Sequence, residues 1–208
     1  MSRVRELFEQ AESKADFSRL YFGHLAELMG RLDHDAVGRV IDALLGARAS
    51  GRSIFIMGNG GSAATANHFA SDLAIGTRAG AKPFNAVSLS ANMSAMSAIS
   101  NDYGYEDVFY KQLENRVSEG DVVIAISASG ESANVLKAMR YASKMNCITV
   151  GFSGFDGGAL KSMAQLNVYV GSQQGEYGPV EDLHLLFGHL ISNYLMLHCE
   201  KEALEASK

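Results

Sequence analysis

Proline is scarce: only Pro83 and Pro179 occur in 208 residues. No Ser/Gly linker, low-complexity tract or block of like charge marks a boundary either, so one domain over residues 1–208 is expected. Cysteine is equally rare. Cys147 and Cys199 stand too far apart in sequence for a C-x-x-C or zinc-finger spacing, which points to a reduced chain. Basic residues do not dominate: 18 Lys and Arg face 23 Asp and Glu, a net charge of −5. That balance argues against a surface built to neutralise nucleic-acid phosphates. No apolar run reaches the roughly eighteen residues of a membrane span. The opening "MSRVRELFEQAESK" is charged throughout and has no apolar signal core, so a cytoplasmic protein is expected.

What is present reads as a helical segment followed by alternating strands and helices. Over residues 1–50 apolar positions recur at helical spacing. One set runs from Leu7 through Phe17, Leu20, Tyr21, Leu25 and Leu28 to Met29, and another from Val37 to Leu45. Asp33 and Asp35 are both candidate caps for the second. From residue 52 to 203 short apolar runs alternate with helical patterns. Strands are expected at 53–58, 85–90, 121–127, 147–153 and 166–171. Helices are expected over 62–76, 92–100, 109–117 and 132–146, in "GALKSMA", and from 179 to 203. Fully apolar strands alternating with helices indicate an α/β fold: a three-layer α-β-α sandwich with a mostly parallel, doubly wound sheet. Ligands of such sheets bind beyond the carboxyl ends of the strands.

Two loops fall at such ends. "GNGGSAAT" (58–65) carries Asn59, Gly60, Gly61 and Ser62 between a strand and a helix. It lacks the Gly-Lys-Ser/Thr of a Walker A loop. Ala63 stands where a dinucleotide fingerprint has its third glycine, and the next strand, "NAVSLS", ends without an acidic residue. A nucleotide cofactor is therefore not expected. Glycine here serves either close backbone approach to a ligand or a tight turn. The second loop, "SASGES" (127–132), holds Ser127, Ala128, Ser129 and Ser132 around Gly130. Helix N-termini offer unpaired N–H groups and partial positive charge, and serine hydroxyls add donors without adding full charges. One serine would suffice for a helix cap; three suit a phosphate.

This serine loop is similar to that of the sugar isomerase (SIS) domain, which reads S-x-S-G-x-S. The segments "GNGGSAA", "HFASDL", "SNDYGYEDVF", "ISASGESANVLKA", "GFDGG" and "EDLHLLFGHLI" occur in family order over residues 54–195. Together they resemble the phosphoheptose isomerases, which convert sedoheptulose 7-phosphate into D-glycero-D-manno-heptose 7-phosphate. The resemblance implies a small phosphosugar substrate, no nucleic-acid or membrane partner, and a homotetramer. Self-association also agrees with apolar surface on the terminal helices beyond what one small sheet needs covered.

Residue by residue, the resemblance assigns Asp72 and His189 as an acid/base pair, with the proton-abstracting member left open. In some members of the family the positions of His68, Asp72, Glu181 and His189 hold zinc, one ion per subunit. Imidazole and carboxylate ligands both suit that ion. His68 and Asp72 lie four apart and share a helix face; Glu181 and His189, eight apart on the last helix and so about two turns, can reach a common region on one broad face. Asn101 and Asp102 match a substrate-contact pair. An aldose–ketose interconversion needs a base at carbon, an acid at oxygen and stabilisation of an enediolate. The chain departs from the family pattern at several places. Asp72 stands for Glu, Glu181 for Gln, Ala128 for Thr and Gly76 for Arg, and Gly178 and Pro179 replace polar residues that often precede the last helix. Two other readings use the same scaffold: a non-catalytic regulator that binds a protein partner, and a phosphosugar sensor. Retention of His68, Asp72, Glu181 and His189 favours the enzyme over the regulator. Absence of a helix-turn-helix segment weighs against the sensor.

Overall fold

The computed structural model describes residues 2–77 and 82–207. The amino-terminal segment forms three helices: α1 (Arg3–Gln10), α2 (Lys14–Met29) and α3 (His34–Ser50). The first apolar set thus splits in two. The Ser13 side chain accepts from the Asp16 amide at 3.1 Å and starts a new helix where the apolar pattern alone runs on. Of the two cap candidates, Asp33 caps α3, accepting from the Ala36 amide at 3.0 Å. Asp35 sits in the first turn, where a carboxylate suits the positive helix end.

Five strands follow: β1 (Ser53–Gly58), β2 (Asn85–Ser88), β3 (Val122–Ser127), β4 (Ile148–Phe155) and β5 (Leu166–Gly171). All four neighbouring pairs run parallel, in the order β2-β1-β3-β4-β5. Every residue of β3 is buried, as its unbroken apolar run predicts for a central strand. This order reverses direction between β1 and β3, and a crevice opens at that switch point beyond the strand ends. Both unusual loops leave the sheet there. The one after β1 enters α4 (Gly60–Ser71), and the one after β3 enters α7 (Ala133–Lys144).

The remaining helices are α5 (Met93–Tyr103), α6 (Tyr110–Glu114), α8 (Gly158–Met163) and α9 (Tyr177–Ala206). Two corrections to the sequence reading fall here. The helix expected over 109–117 is only α6, preceded by a 3-10 turn at Tyr105–Asp107. The helix expected to run to residue 76 ends as α at Ser71, and a π turn continues it over Asp72–Gly76. The Thr77 hydroxyl, donating to the Leu73 carbonyl at 2.6 Å, closes that wider turn.

Each face of the sheet has its own core. On one face residues of α2, α3, α4 and α9 pack against Ile54, Ile56, Ile124 and Phe152. On the other, residues of α6, α7 and α8 pack against Phe55, Met57, Val123 and Ala125. Phe152 is central to the first: it is fully buried, with Phe69, Phe187 and His184 at ring-centroid distances of 6.3, 6.0 and 6.0 Å. Truncation there removes a large apolar side chain and leaves a cavity. Phe152→Ala is expected to destabilise the fold by about 3–5 kcal/mol, measured by denaturant unfolding. A loss below about 1 kcal/mol would show that the layer repacks around the gap.

Candidate functional site

The serine loop begins where β3 ends. Gly130 takes φ +66°, and a Cβ there would stand 2.1 Å from the Gly157 carbonyl oxygen; the loop therefore requires glycine at this position. Its carbonyl accepts from the Leu160 amide at 3.0 Å. Glu131 ties the same loop to α8 by accepting from the Ala159 amide at 2.6 Å. The Ser132 hydroxyl makes no capping bond to α7 and instead lies 3.3 Å from that of Ser127. Ser127 accepts from the Gly130 amide at 3.2 Å, and Ser129 from the Glu131 amide at 3.3 Å. In both bonds the hydroxyl oxygen is the acceptor, so the Ser129 proton remains free to donate to an anion, while one proton of the Ser127–Ser132 pair lies between those two hydroxyls.

These serines line a cavity of about 150 Å³ together with Asn59, Ser62, Ala128, Tyr177 and Glu181. Asn59 is clamped rather than free. It exchanges two 2.9 Å hydrogen bonds with Asn134 and accepts from the Tyr105 hydroxyl at 2.8 Å. That clamp joins the loops on either side of the switch point. Asn134, Tyr105 and Tyr177 were missed in the sequence reading: the first two lie inside quoted motifs, but neither residue type advertises a bridging role.

Glu181 lies at this pocket, its carboxylate against Gly61 in the first turn of α4. A Cβ on Gly61 would stand 2.2 Å from Glu181 Oε2, so the approach depends on glycine. Burial, and then the charge of Asp182, raise the Glu181 pKa above the ordinary carboxylate value. The positive end of α4 partly offsets its charge.

The second cluster lies further along the same two helices. His68 Nε2 stands 3.2 Å from His189 Nε2 and 3.4 Å from Asp72 Oδ2. The three residues border a cavity of about 290 Å³ with Gly76, Ser192, Asn193 and Met196. They form a group whose ligating atoms all lie within 4.8 Å of one another. Around a tetrahedral ion with bonds of about 2.0 Å, ligand atoms are about 3.3 Å apart. The two short separations match that edge, so the donor set fits zinc. Glu181 is not part of this set: eight residues before His189 on α9, it lies about 12 Å away along the axis. Asn101 and Asp102 sit exposed in the last turn of α5, bonded to each other at 2.9 Å, and line neither cavity.

The two cavities flank one seam between α4 and α9. Gly61 meets Glu181 at one end and His68 meets His189 at the other, so the helices run in the same direction. Their separation, roughly 10–12 Å by helix rise, is comparable with an extended seven-carbon chain carrying a terminal phosphate. A serine-lined cavity at a switch point, with an imidazole–carboxylate group two turns away, gives this α/β protein an arrangement able to take a phosphorylated small molecule.

The SIS domain model matches residues 20–154. A phosphoheptose isomerase from Helicobacter hepaticus is 38% identical over 164 residues, 79% of this chain and 83% of the relative. One from Nitratiruptor sp. is 41% identical over 144 residues, 69% of this chain and 76% of the relative. Among solved structures, phosphoheptose isomerase GmhA from Neisseria gonorrhoeae superposes with a TM-score of 0.78 at 27% identity, covering 88% of this chain and 98% of that one. The chain belongs to the SIS domain family and groups within it with the phosphoheptose isomerases.

The position of Glu181 carries a prediction. Ionised, it sets a negative charge in the cavity that the serines prepare for an anion; protonated, it does not. Glu181→Gln should therefore bind inorganic phosphate several-fold more tightly than the native protein at pH 8. The gap should narrow as pH falls through the raised Glu181 pKa, since the titration of phosphate itself affects both proteins alike. Calorimetric titration at pH 5 and pH 8 measures it; equal affinity at pH 8 would remove Glu181 from the anion's surroundings.

Proposed function

We propose that this isomerase of the SIS family interconverts sedoheptulose 7-phosphate and D-glycero-D-manno-heptose 7-phosphate through an enediolate. The observation that carries the reading is the seam itself, with a serine-lined anion pocket and an imidazole–carboxylate cluster at its two ends. In this reading Ser127, Ser129 and Ser132 hold the phosphate by hydroxyl donation. Holding that end fixes the carbonyl end among His68, Asp72 and His189, and positioning of this kind can lower a barrier by several kcal/mol.

Asp72 and His189 form the acid/base pair. The side chain of Asp72 is one methylene shorter than the family's Glu, and the π turn that begins at this residue alters its backbone approach to His68. A carboxylate and an imidazole suit proton transfer between adjacent carbons near neutral pH. His68, Asp72 and His189 would hold a zinc ion, one per subunit, and the ion when bound supplies Lewis-acid polarisation of the sugar carbonyl. A nitrogen that holds a metal cannot carry a proton. In a loaded site, proton transfer would fall to the Asp72 carboxylate and to the ring nitrogen of His189 that is not a ligand. An exposed stripe on α9, with Leu186, Leu190, Tyr194 and Leu197, supports a homotetramer. Neighbouring chains would then complete the pocket, and Asn101 and Asp102 would serve a site other than their own chain's.

Four measurements test this reading. Purified protein incubated with sedoheptulose 7-phosphate and with pentose and hexose phosphates should turn over the heptose phosphate best. Turnover of none by a folded protein would favour the regulator. Ser129→Ala should raise KM about tenfold, as expected for one lost bond to a charged group; an unchanged KM would remove the phosphate role. His189→Ala should lower kcat by at least about a hundredfold with the fold intact, and retained activity would exclude it from the chemistry. Chelation should lower turnover and added zinc restore it. Indifference to both would leave the acid/base pair working without a metal.

A further inference from the structure

The first turn of α9 supplies Tyr177 and Glu181 to the anion pocket, so whatever fixes that turn also fixes one wall of the pocket. Helix α2 grips it at successive points. The Tyr21 hydroxyl donates to Asp182 Oδ2 at 2.7 Å and stands 3.2 Å from where a Cβ on Gly178 would lie. Three residues on, along the same face of α2, His24 Nε2 lies 3.2 Å from Glu176 Oε1. Glu176 precedes α9, and its side chain is completely buried. Its other oxygen accepts from the Gln173 amide at 3.0 Å. A carboxylate removed from water in this way needs its partners: with His24 gone, the Gln173 amide would be its one remaining hydrogen-bond donor among the described residues. Tyr177 is held in turn by Phe155, edge-to-face at 5.0 Å.

We propose that His24, with Tyr21, is a positioning residue for the phosphate pocket: its bond to Glu176 sets the angle at which α9 presents Tyr177 and Glu181 to the serine loop. The inference rests on the isomerase reading only for its kinetic readout. The carboxylate accepts, so Nε2 carries the proton in this bond. Nδ1 has no hydrogen-bond partner among the described residues; the nearest acid, Glu27, is 3.9 Å away. Of the two ring nitrogens, then, only Nε2 is engaged, which is why an amide donor can stand in for the ring.

The test compares His24→Leu with His24→Gln, whose side-chain amide can still donate to Glu176. His24→Leu is expected to raise KM for sedoheptulose 7-phosphate about tenfold while kcat changes by less than about threefold. His24→Gln should return KM to near the native value. Amides over 173–181 should exchange with deuterated solvent faster in His24→Leu and at the native rate in His24→Gln. If the leucine variant does not fold, Tyr21→Phe carries the same test, since it removes only the hydroxyl bond to Asp182. A folded leucine variant with native KM and native exchange over 173–181 would overturn the proposal. If the native protein shows no turnover, the isomerase reading fails, and the exchange comparison still decides the role of His24.

Discussion

The packing of α4 against α9 is the constraint on which the site depends. These helices come from distant parts of the chain, one opening after β1 and the other closing the fold. They lie together over two turns because small residues stand where they meet: Gly61 faces Glu181, and Gly188 lies beside Phe69. Everything chemical is then a matter of position along the seam. The start of each helix faces the switch point of the sheet, where backbone amides and hydroxyls converge, and two turns further on both helices present imidazole. A displacement of either helix would move the two ends of the site relative to each other. The core that fixes the seam, Phe69, Phe152 and Phe187, therefore belongs to the functional argument as much as to stability.

Electrostatics divides the two ends. At the sheet, an anion would be gripped by neutral hydroxyls and a helix terminus rather than by lysine or arginine, which suits a ligand that must leave after each turnover. Backbone bonds accepted by Ser127 and Ser129 hold the shape of the loop, and the Ser129 proton stays available. Glu181 opposes this arrangement, and its raised pKa reflects that conflict with burial and with Asp182. At the other end lone pairs converge on a common point, and like groups so close together are stable when a proton or a cation lies between them.

Much of this was legible in the sequence, for identifiable reasons. The central strands are apolar throughout, so their number and their parallel arrangement followed from burial on both faces. Ser127, Ser129, Ser132 and Asn59, which line one cavity, stand out in the sequence because unusual composition at strand ends is itself a signal. What escaped depends on distance in sequence. Tyr21 reads as one more apolar position in a helical stripe, yet its hydroxyl bonds a residue 161 positions away. Glu181 fits a metal-ligand reading by its family position. Spacing along one helix does not say which end of the seam a side chain joins, and within this chain Glu181 lies at the serine pocket rather than beside His68, Asp72 and His189. The break between α1 and α2 depended on one serine cap within a continuous pattern. The π turn at Asp72 has no composition signal at all.

The central claim is that one phosphosugar spans the seam. A crystal structure of the protein with sedoheptulose 7-phosphate bound tests it most directly. The account predicts phosphate density among Ser127, Ser129 and Ser132, with the carbonyl end within hydrogen-bonding reach of Asp72 or His189. Phosphate bound elsewhere, or a sugar whose carbonyl end points away from both imidazoles, would contradict it.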